Sequence, residues 1–306
     1  MIIIYLKGGL GNQLFQYALG KALEKNGLEV KYDISSFKGY RHNFKLDYFN
    51  TEIKIIGKTD KILFDKLYKQ KHSRFQGKKG LLFKILRKGF KYFDDCFYVY
   101  RSTIHERNNL IDKRILNLKG NHILDGYWAK TQYFDQVRSY IISEINLKKE
   151  KETPAYLKWL ELIELSGDSV SIHIRRGDYL DNVNQKIFKK LELAYYKRAV
   201  NYMKKQRVNI TLFVFSNDID WCKRAFSDYD NVRFVDGKDL VDVHDFLLMK
   251  ACNHNIIANS TFSWWAAYLN DNPNKIVIAP KRWFADEKRQ KRYEKGDMIP
   301  DNWIKI

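Results

Sequence analysis

Short polar clusters stand at four points of the sequence where an apolar, strand-like run ends. They are the RRGDY after SVSIHI, the SND after TLFVF, the DG after VRFV, and the NSTFS after HNIIA. The apolar runs alternate with helical patterns, which predicts a parallel sheet covered on both faces. Because the carboxyl ends of parallel strands share one edge, where ligands bind, the four clusters predict one binding site.

The first cluster has the chemistry to hold a diphosphate. Side-chain alternation sends His173 and Arg175 to one side of the strand and Arg176 to the other. A planar guanidinium at a strand end suits bidentate contact with phosphate oxygens. Asp178 follows closely and could neutralise or orient one of the arginines. The alternative interpretation is an ion-pair cluster that only caps the sheet edge.

The second cluster leaves two interpretations open. Ser216, Asn217 and Asp218 end a strand, and the carboxylate could accept hydrogen bonds from a base or a ribose. It could equally cap the helix that follows. Asp218 and Asp220 also form the D-x-D pattern with which metal-dependent sugar transferases hold Mn²⁺ or Mg²⁺.

Hydroxyl groups mark the fourth cluster, at a strand-to-helix turn. Ser260, Thr261 and Ser263 stand where the backbone N–H groups of a helix N-terminus are unpaired, which favours an anion site. A plain N-cap is the alternative, although it needs only one hydroxyl.

Near the start of the chain, GGLGNQLFQ forms a second strand-to-helix turn. It lacks both the Gly-Lys-Ser/Thr of phosphate loops and the G-x-G-x-x-G of dinucleotide sites. We expect its glycines to allow close approach of a ligand, and Asn12 and Gln13 to supply neutral hydrogen bonds.

Alternating strands and helices must position these residues. In the first half we expect strands at Ile2–Leu6, Leu28–Tyr32 and within NHILDGYW, and helices at 14–26 and from about Tyr133. In the second half we expect strands at 169–174, 211–216, 232–236, 254–260 and 275–280, with helices at 192–205, around Trp221, and in LVDVHDFLLMKACN and SWWAAYLN.

Composition limits the class of protein. A chain of 306 residues with 45% hydrophobic residues suits two folded domains. The net charge of +19 fits nucleic acid, an anionic membrane or acidic small molecules as partners, or simply solvated surface lysines. The basic, aromatic segment 61–91 is the candidate membrane contact. Three well-separated cysteines favour a reducing compartment, and the short apolar runs predict a soluble protein without a signal peptide.

Four stretches, GGLGNQLFQYALGKAL, HIRRGDY, FVFSNDIDWCK and NSTFSWWAAYL, resemble glycosyltransferase family 11 in this order. These are the inverting α-1,2-fucosyltransferases of bacteria, and DGYWAKTQYF and PKRWF…MIPDNWI are similar as well. The resemblance implies an α/β fold of GT-B architecture, with two Rossmann-like domains facing across a cleft. The expected division is an acceptor-side domain at 1–165 and a domain that binds the GDP-sugar at 166–306, with a last helix able to pack back on the first.

The resemblance also implies an activity. It predicts transfer of L-fucose from GDP-β-L-fucose to the 2-hydroxyl of a terminal galactose, in an oligosaccharide or a lipid-linked surface glycan. No metal or other cofactor and no nucleic acid are expected. We expect a cytoplasmic enzyme, at the inner face of the membrane where its acceptor is membrane-linked. The alternatives are a metal-dependent D-x-D transferase with another nucleotide sugar, or a basic protein that binds nucleic acid or membranes without catalysis.

The strand-end clusters and the resemblance together predict three groups of site residues. The catalytic set is Arg175, Asn12 and Asp178. The donor-binding set is Gly9, Gly11, Gln13, His173, Arg176, Ser216, Asn217, Asp218, Ser260, Thr261, Phe262 and Ser263. The acceptor-binding set is Asp125, Tyr127 and Trp128. Family members often carry Asp at position 217 and Gln at position 129, where this chain has Asn217 and Ala129.

A general base is not identified by the sequence. A carboxylate base would help, because sugar hydroxyls are poor nucleophiles. Asp178 is expected to be ion-paired, which leaves Asp33 and Asp125, near strand ends in the first half, as candidates. Substrate-assisted or loose, SN1-like chemistry would need no base.

Overall fold

The fold contains two parallel β-sheets. The computed structural model describes residues 1–39, 41–57, 59–60, 103–106, 111–176, 187–294 and 298–306. The first sheet consists of β1 (Ile2–Tyr5), β2 (Val30–Asp33), β3 (Thr103–His105) and β4 (His122–Asp125), in the order β2-β1-β4-β3. The second consists of β5 (Asp168–Ile174), β6 (Ile210–Ser216), β7 (Val232–Phe234), β8 (His254–Ile256), β9 (Val277–Ala279) and β10 (Ile304–Lys305), in the order β10-β9-β8-β5-β6-β7.

In both sheets the order of the strands reverses at the first strand, β1 in one sheet and β5 in the other. In the second sheet, β6 and β7 lie on one side of β5, and β8, β9 and β10 lie on the other. This is the doubly wound Rossmann order, in which ligands bind outside the strand ends where the order reverses. That switch point lies between β5 and β8 in the second sheet, and between β1 and β4 in the first. The predicted α/β fold with parallel, Rossmann-like sheets is confirmed.

Eight α-helices lie within the described residues. They are α1 (Leu10–Lys25), α2 (Arg138–Glu144), α3 (Pro154–Glu164), α4 (Leu193–Gln206), α5 (Ile219–Ala225), α6 (Asp242–Ala251), α7 (Thr261–Leu269) and α8 (Glu287–Glu294). The strands β3 and β10 and the helix α3 were not predicted, and α8 was expected only as a last helix without bounds. Helix α1 begins four residues earlier than expected and ends before Gly27, whose φ of +81° suits a residue without Cβ.

The two sheets are joined through the packing of α1 against α7. A Cβ at Gly11 would lie 2.5 Å from the carbonyl carbon of Thr261, so only glycine permits this approach. One turn later, the Phe15 ring lies 4.9 Å from the rings of both Trp264 and Trp265. Phe134 stacks on Trp265 at 5.2 Å, and one hydrophobic core extends across both sheets.

Helix α3 extends from the first half of the chain onto the second sheet. The Trp159 indole N–H donates to the Asp236 carbonyl over 2.9 Å, and its ring meets Phe213. Gln290 of α8 bonds to the backbone of Lys281 and Trp283, just beyond β9. The division at residue 165 stays a prediction, and so does the packing of the last helix on the first domain.

Two sequence predictions fall outside the described residues. These are the role of Asp178 and the basic segment at 61–91. Within the part of the chain that is described, none of the helices has both the length and the apolar character needed to cross a membrane.

Replacing Gly11 by alanine tests the packing of the two helices. The new Cβ would collide with the Thr261 backbone, which cannot rotate away, so we expect a loss of about 1–3 kcal/mol in the free energy of unfolding. Urea denaturation measures it. Gly167→Ala, with no heavy atom within 4 Å of the added Cβ, is the matched control and should change stability by no more than about 0.5 kcal/mol. Equal stability of the two variants would contradict the steric argument.

Candidate active site

At the switch point of the second sheet, the first and fourth polar clusters meet. Arg175 follows β5 directly, and Ser260 is the N-cap residue of α7, which follows β8. The Arg175 Nη1 group donates to the Ser260 hydroxyl over 3.0 Å. The same hydroxyl accepts from the backbone N–H of Phe262 at 3.3 Å, while Ser263, which is buried, bonds back to the Ser260 carbonyl. A guanidinium therefore lies beside a helix N-terminus, where both attract anions.

Arg176 points to the other side of the strand and binds the second cluster. Its Nε donates to the Asp218 carboxylate over 3.1 Å, and its backbone N–H donates to the Asn217 side chain. The guanidinium carbon lies 4.0 Å from the centre of the Trp221 ring. The other Asp218 oxygen caps α5 by accepting from the Trp221 N–H. The structure thus shows the capping alternative for Asp218, and a nucleoside contact by it stays a prediction.

Aromatic rings lead from this site towards α6. The His173 ring, near the end of β5, lies 5.6 Å from the ring of Phe262. Phe262 in turn lies 5.8 Å from Phe246 of α6. Phe262 is therefore placed between the strand end that carries Arg175 and helix α6.

The N-terminal glycine turn forms the facing wall. Gly9 is the N-cap residue of α1, and Thr261 donates its hydroxyl to the Asn12 side chain over 3.4 Å. Gly11 packs against the Thr261 backbone, and a donor contact by Gly11 stays a prediction. The first turns of α1 and α7 thus meet, and the carboxyl edges of both sheets face the same seam.

Gln13 holds this wall in shape from inside the protein. It is fully buried, and its amide N–H groups donate to the carbonyls of Gly8 and Asn43, at 3.0 and 2.9 Å. Its oxygen accepts from the backbone N–H of Lys45 at 2.9 Å. These contacts fix the loop at 43–45 against the glycine turn, so Gln13 positions the wall, and direct donor contact by it stays a prediction.

At the switch point of the first sheet, the predicted acceptor residues come together. Lys7 after β1 forms an ion pair with Asp125 at the end of β4, and its Nζ lies 5.4 Å from the centre of the Tyr127 ring. Tyr127 is 41% exposed, whereas Trp128 is buried. The Glu106 carboxylate accepts the backbone N–H groups of both Tyr127 and Trp128, at 2.7 and 3.0 Å. Tyr127 is accordingly the ring that a ligand can reach, while Trp128 supports it from the core.

One carboxylate near the seam was missed by the sequence analysis. Asp245 lies in the first turn of α6, next to Asp242, which pairs with Lys45 of the first sheet's loop at 2.9 Å. Burial, reinforced by the charge of Asp242, raises the pKa of Asp245 to about 7. The signal available was an acid inside the apolar helix pattern LVDVHDFLLMKACN.

The carboxylates considered earlier are engaged elsewhere. Asp33 is buried and accepts bonds from the backbone N–H and the hydroxyl of Ser35, while Asp125 is paired with Lys7. Across the described ranges, no group of three or more His, Cys, Asp or Glu side chains has the spacing to hold a metal ion.

Two doubly wound sheets whose carboxyl edges face one seam are the arrangement of the GT-B fold. The model of Glycosyl transferase family 11 matches residues 1–306, and the chain belongs to this family. The family resemblance and the GT-B fold are therefore confirmed.

Relatives and solved structures extend the comparison. An alpha-1,2-colitosyltransferase of Escherichia coli is 32% identical over 100% of this chain and 99% of its own. Galactoside alpha-(1,2)-fucosyltransferase 1 of Leontopithecus chrysomelas is 33% identical over 48% of this chain and 42% of its own length. The fucosyltransferase NodZ from Bradyrhizobium has the same fold, with a TM-score of 0.51 at 12% identity, over 87% of this chain and 90% of NodZ. A NodZ structure soaked with GDP-fucose gives the same TM-score, 0.51.

Asp245→Asn tests the buried carboxylate through stability. Because the pKa of Asp245 is raised from 3.8 to about 7 in the folded state, its stabilising contribution is complete below about pH 4 and lost as the pH rises through 7. We expect the variant to equal the wild type near pH 4 and to be more stable at pH 8, by thermal unfolding. Asp220→Asn, which removes an exposed carboxylate from the first turn of α5, is the control. A variant less stable than the wild type at pH 8 would contradict the assignment.

Proposed function

We propose that the protein transfers L-fucose from GDP-β-L-fucose to the 2-hydroxyl of a terminal galactose, with inversion at the anomeric carbon. The observation that carries the proposal is Arg175 at the β5–β8 switch point, bonded to the N-cap hydroxyl of α7. The family and the α-1,2-linkage named for its relatives support it.

In this proposal the diphosphate of the donor binds at Arg175. As the bond from the anomeric carbon to the phosphate breaks, negative charge grows on the departing GDP. The Arg175 guanidinium, the Ser260 hydroxyl and the first N–H groups of α7 can stabilise that charge without rearranging. Arg176 instead binds Asp218 and Trp221 and serves to hold the strand end in place. Asn12, in the first turn of α1, accepts from the Thr261 hydroxyl and so lies beside the start of α7.

In this proposal the acceptor binds at the switch point of the first sheet, between β1 and β4. The exposed Tyr127 ring offers an apolar face to a sugar ring, and the nearby Asp125 and Lys7 offer partners for hydroxyl groups. The acceptor is a galactose-terminated oligosaccharide or lipid-linked glycan.

A second candidate differs in the donor sugar alone. The relative that matches the whole chain at 32% identity is a colitosyltransferase, whereas the fucosyltransferase cited above matches about half of the chain. Transfer of colitose to the same 2-hydroxyl would use the same diphosphate site, and only the pocket around the sugar would change.

Neither a metal nor another cofactor is part of the proposal. One Asp218 oxygen binds Arg176 and the other caps α5, so a metal held by the D-x-D pair would have to displace the arginine. We place the enzyme in the cytoplasm, at the inner face of the membrane where its acceptor is lipid-linked.

A donor panel with an arginine variant tests the proposal. We expect the protein to form an α-1,2-linked product from GDP-fucose and a galactoside, with or without EDTA, as read by NMR. Arg175→Ala should lower kcat/KM by about 10²–10³-fold, because charge on the leaving group would lose its partner. Arg114→Ala, which removes an exposed arginine bonded to neighbouring Asp112, is the control. Transfer only from GDP-colitose would select the second candidate, and an active Arg175→Ala would remove Arg175 from the mechanism.

Tyr127→Ala tests the acceptor side. We expect the KM for the galactoside to rise about tenfold, since loss of a stacked ring is worth about 1 kcal/mol or more, while the KM for the donor is unchanged. Tyr140→Ala, which removes a tyrosine of similar exposure on α2, is the control. A changed donor KM with an unchanged acceptor KM would move Tyr127 to the other substrate.

A further inference from the structure

The turn at the end of β4, residues 125–128, has a backbone conformation that a bulky residue rarely adopts. Trp128 has a φ of +57°, in the left-handed region, and a tryptophan stays there only where its surroundings impose that conformation. Trp128 is buried, whereas its neighbour Tyr127 is 41% exposed. The two rings therefore separate at this turn, one into the core and the other towards solvent.

Glu106 holds this turn from the neighbouring strand. It follows β3, and its backbone N–H donates to the Asp125 carbonyl over 3.2 Å, which continues the parallel pairing of β3 with β4. Its carboxylate accepts the N–H groups of Tyr127 and Trp128, at 2.7 and 3.0 Å. Backbone N–H groups bond more strongly to a carboxylate than to a neutral oxygen. One side chain therefore satisfies the two amides at which the chain turns.

Gly126 and Gln16 fix the same turn from other sides. A Cβ at position 126 would lie 2.5 Å from the Glu106 Cβ and 2.9 Å from the Trp128 Cε2, so only glycine leaves room for both side chains. The Gln16 amide donates to the Gly126 carbonyl over 2.8 Å, and its oxygen accepts the Lys7 N–H over 3.1 Å. The turn is thus tied to α1 and to the end of β1 as well as to β3.

This support keeps the Tyr127 ring in one place at the switch point of the first sheet. The Lys7 Nζ lies 5.4 Å from the centre of that ring, and Lys7 also pairs with Asp125. A side chain that is already ordered loses less conformational entropy when a ligand binds, so a fixed ring binds the face of a sugar more tightly than a mobile one. Loss of the support should therefore weaken acceptor binding and leave the donor site unchanged.

We propose that Glu106 is a positioning residue for the acceptor, an inference that rests on the proposed function. Through the backbone N–H groups of Tyr127 and Trp128, its carboxylate presents the Tyr127 ring to the terminal sugar of the acceptor. Glu106 acts through Tyr127 and does not itself contact the sugar. Its removal can therefore weaken acceptor binding no more than removal of the Tyr127 ring does.

The experiment measures the kinetics of Glu106 variants of the full chain, with GDP-fucose and GDP-colitose as donors and a galactoside as acceptor. Glu106→Ala should raise the KM for the galactoside about five- to tenfold, while kcat and the donor KM stay within about twofold. Glu106→Gln keeps an oxygen that can accept and should raise the galactoside KM only about threefold. Asp286→Ala, which removes an exposed carboxylate bonded to the Arg289 N–H, is the control and should leave all three constants unchanged.

A double variant separates positioning from a general structural role. If Glu106 acts through Tyr127, adding Glu106→Ala to Tyr127→Ala should change the galactoside KM by less than about twofold. A residue that only stabilises the fold would act independently of Tyr127, and the two effects on the galactoside KM would multiply.

Each other outcome overturns a defined statement. A folded Glu106→Ala with the galactoside KM of the wild type, or effects that multiply in the double variant, would exclude the positioning role and leave the proposed function intact. An equal rise in the donor KM would exclude it as well. A wild type that binds GDP in calorimetry but transfers neither sugar would overturn the proposed function, and the positioning role with it. If Glu106→Ala does not fold, Glu106→Gln decides, because an unchanged galactoside KM in that variant would contradict the proposal.

Discussion

The close contact between α1 and α7 is the constraint on which the site depends. Glycine at position 11 lets the first turn of α1 touch the Thr261 backbone, and the Phe15–Trp264–Trp265 cluster then fixes the angle between the helices. Such aromatic pairs contribute about 0.5–1.5 kcal/mol each beyond the burial of their surface. Because both helices begin at strand ends, this contact brings the carboxyl edges of the two sheets to one seam.

The adjacent arginines Arg175 and Arg176 have different partners and therefore different roles. Alternation along β5 sends Arg175 towards Ser260 and α7, and Arg176 towards Asp218 and Trp221. Asp218 caps α5 with one carboxylate oxygen and binds Arg176 with the other, so Arg176 is held against a fixed helix end. Arg175 donates to the Ser260 hydroxyl at the start of α7. A preorganised cation of this kind suits a site where negative charge grows during reaction.

The N-terminal glycine turn acquires a different explanation from the structure. The sequence analysis expected its glycines to admit a ligand and placed the start of the helix at Leu14. The structure begins α1 at Leu10, because Gly11 is required by the approach of another helix. Gln13 is likewise an internal brace between Gly8, Asn43 and Lys45. Both residues act on the site through the wall that they hold.

Strand patterns and turn chemistry could be read from the sequence in most of the second half, because short apolar runs between polar clusters are local signals. The three-residue β3 and the two-residue β10 were missed because such short strands depend on partners already in the sheet. Helix α3 was missed although Thr153 and Pro154 mark its start, with the Thr153 side chain accepting from the Tyr156 N–H.

By itself, the sequence determined the family, the parallel α/β fold and the polar clusters at the strand ends, since motif identity and periodicity are properties of neighbouring residues. Only the tertiary structure decided which clusters meet. It joined Arg175 to Ser260, placed Tyr127 outside and Trp128 inside, and enclosed Asp245 near the seam. These outcomes depend on burial and on contacts between distant segments, because the solvation and charge of a side chain are set by neighbours that come from elsewhere in the chain.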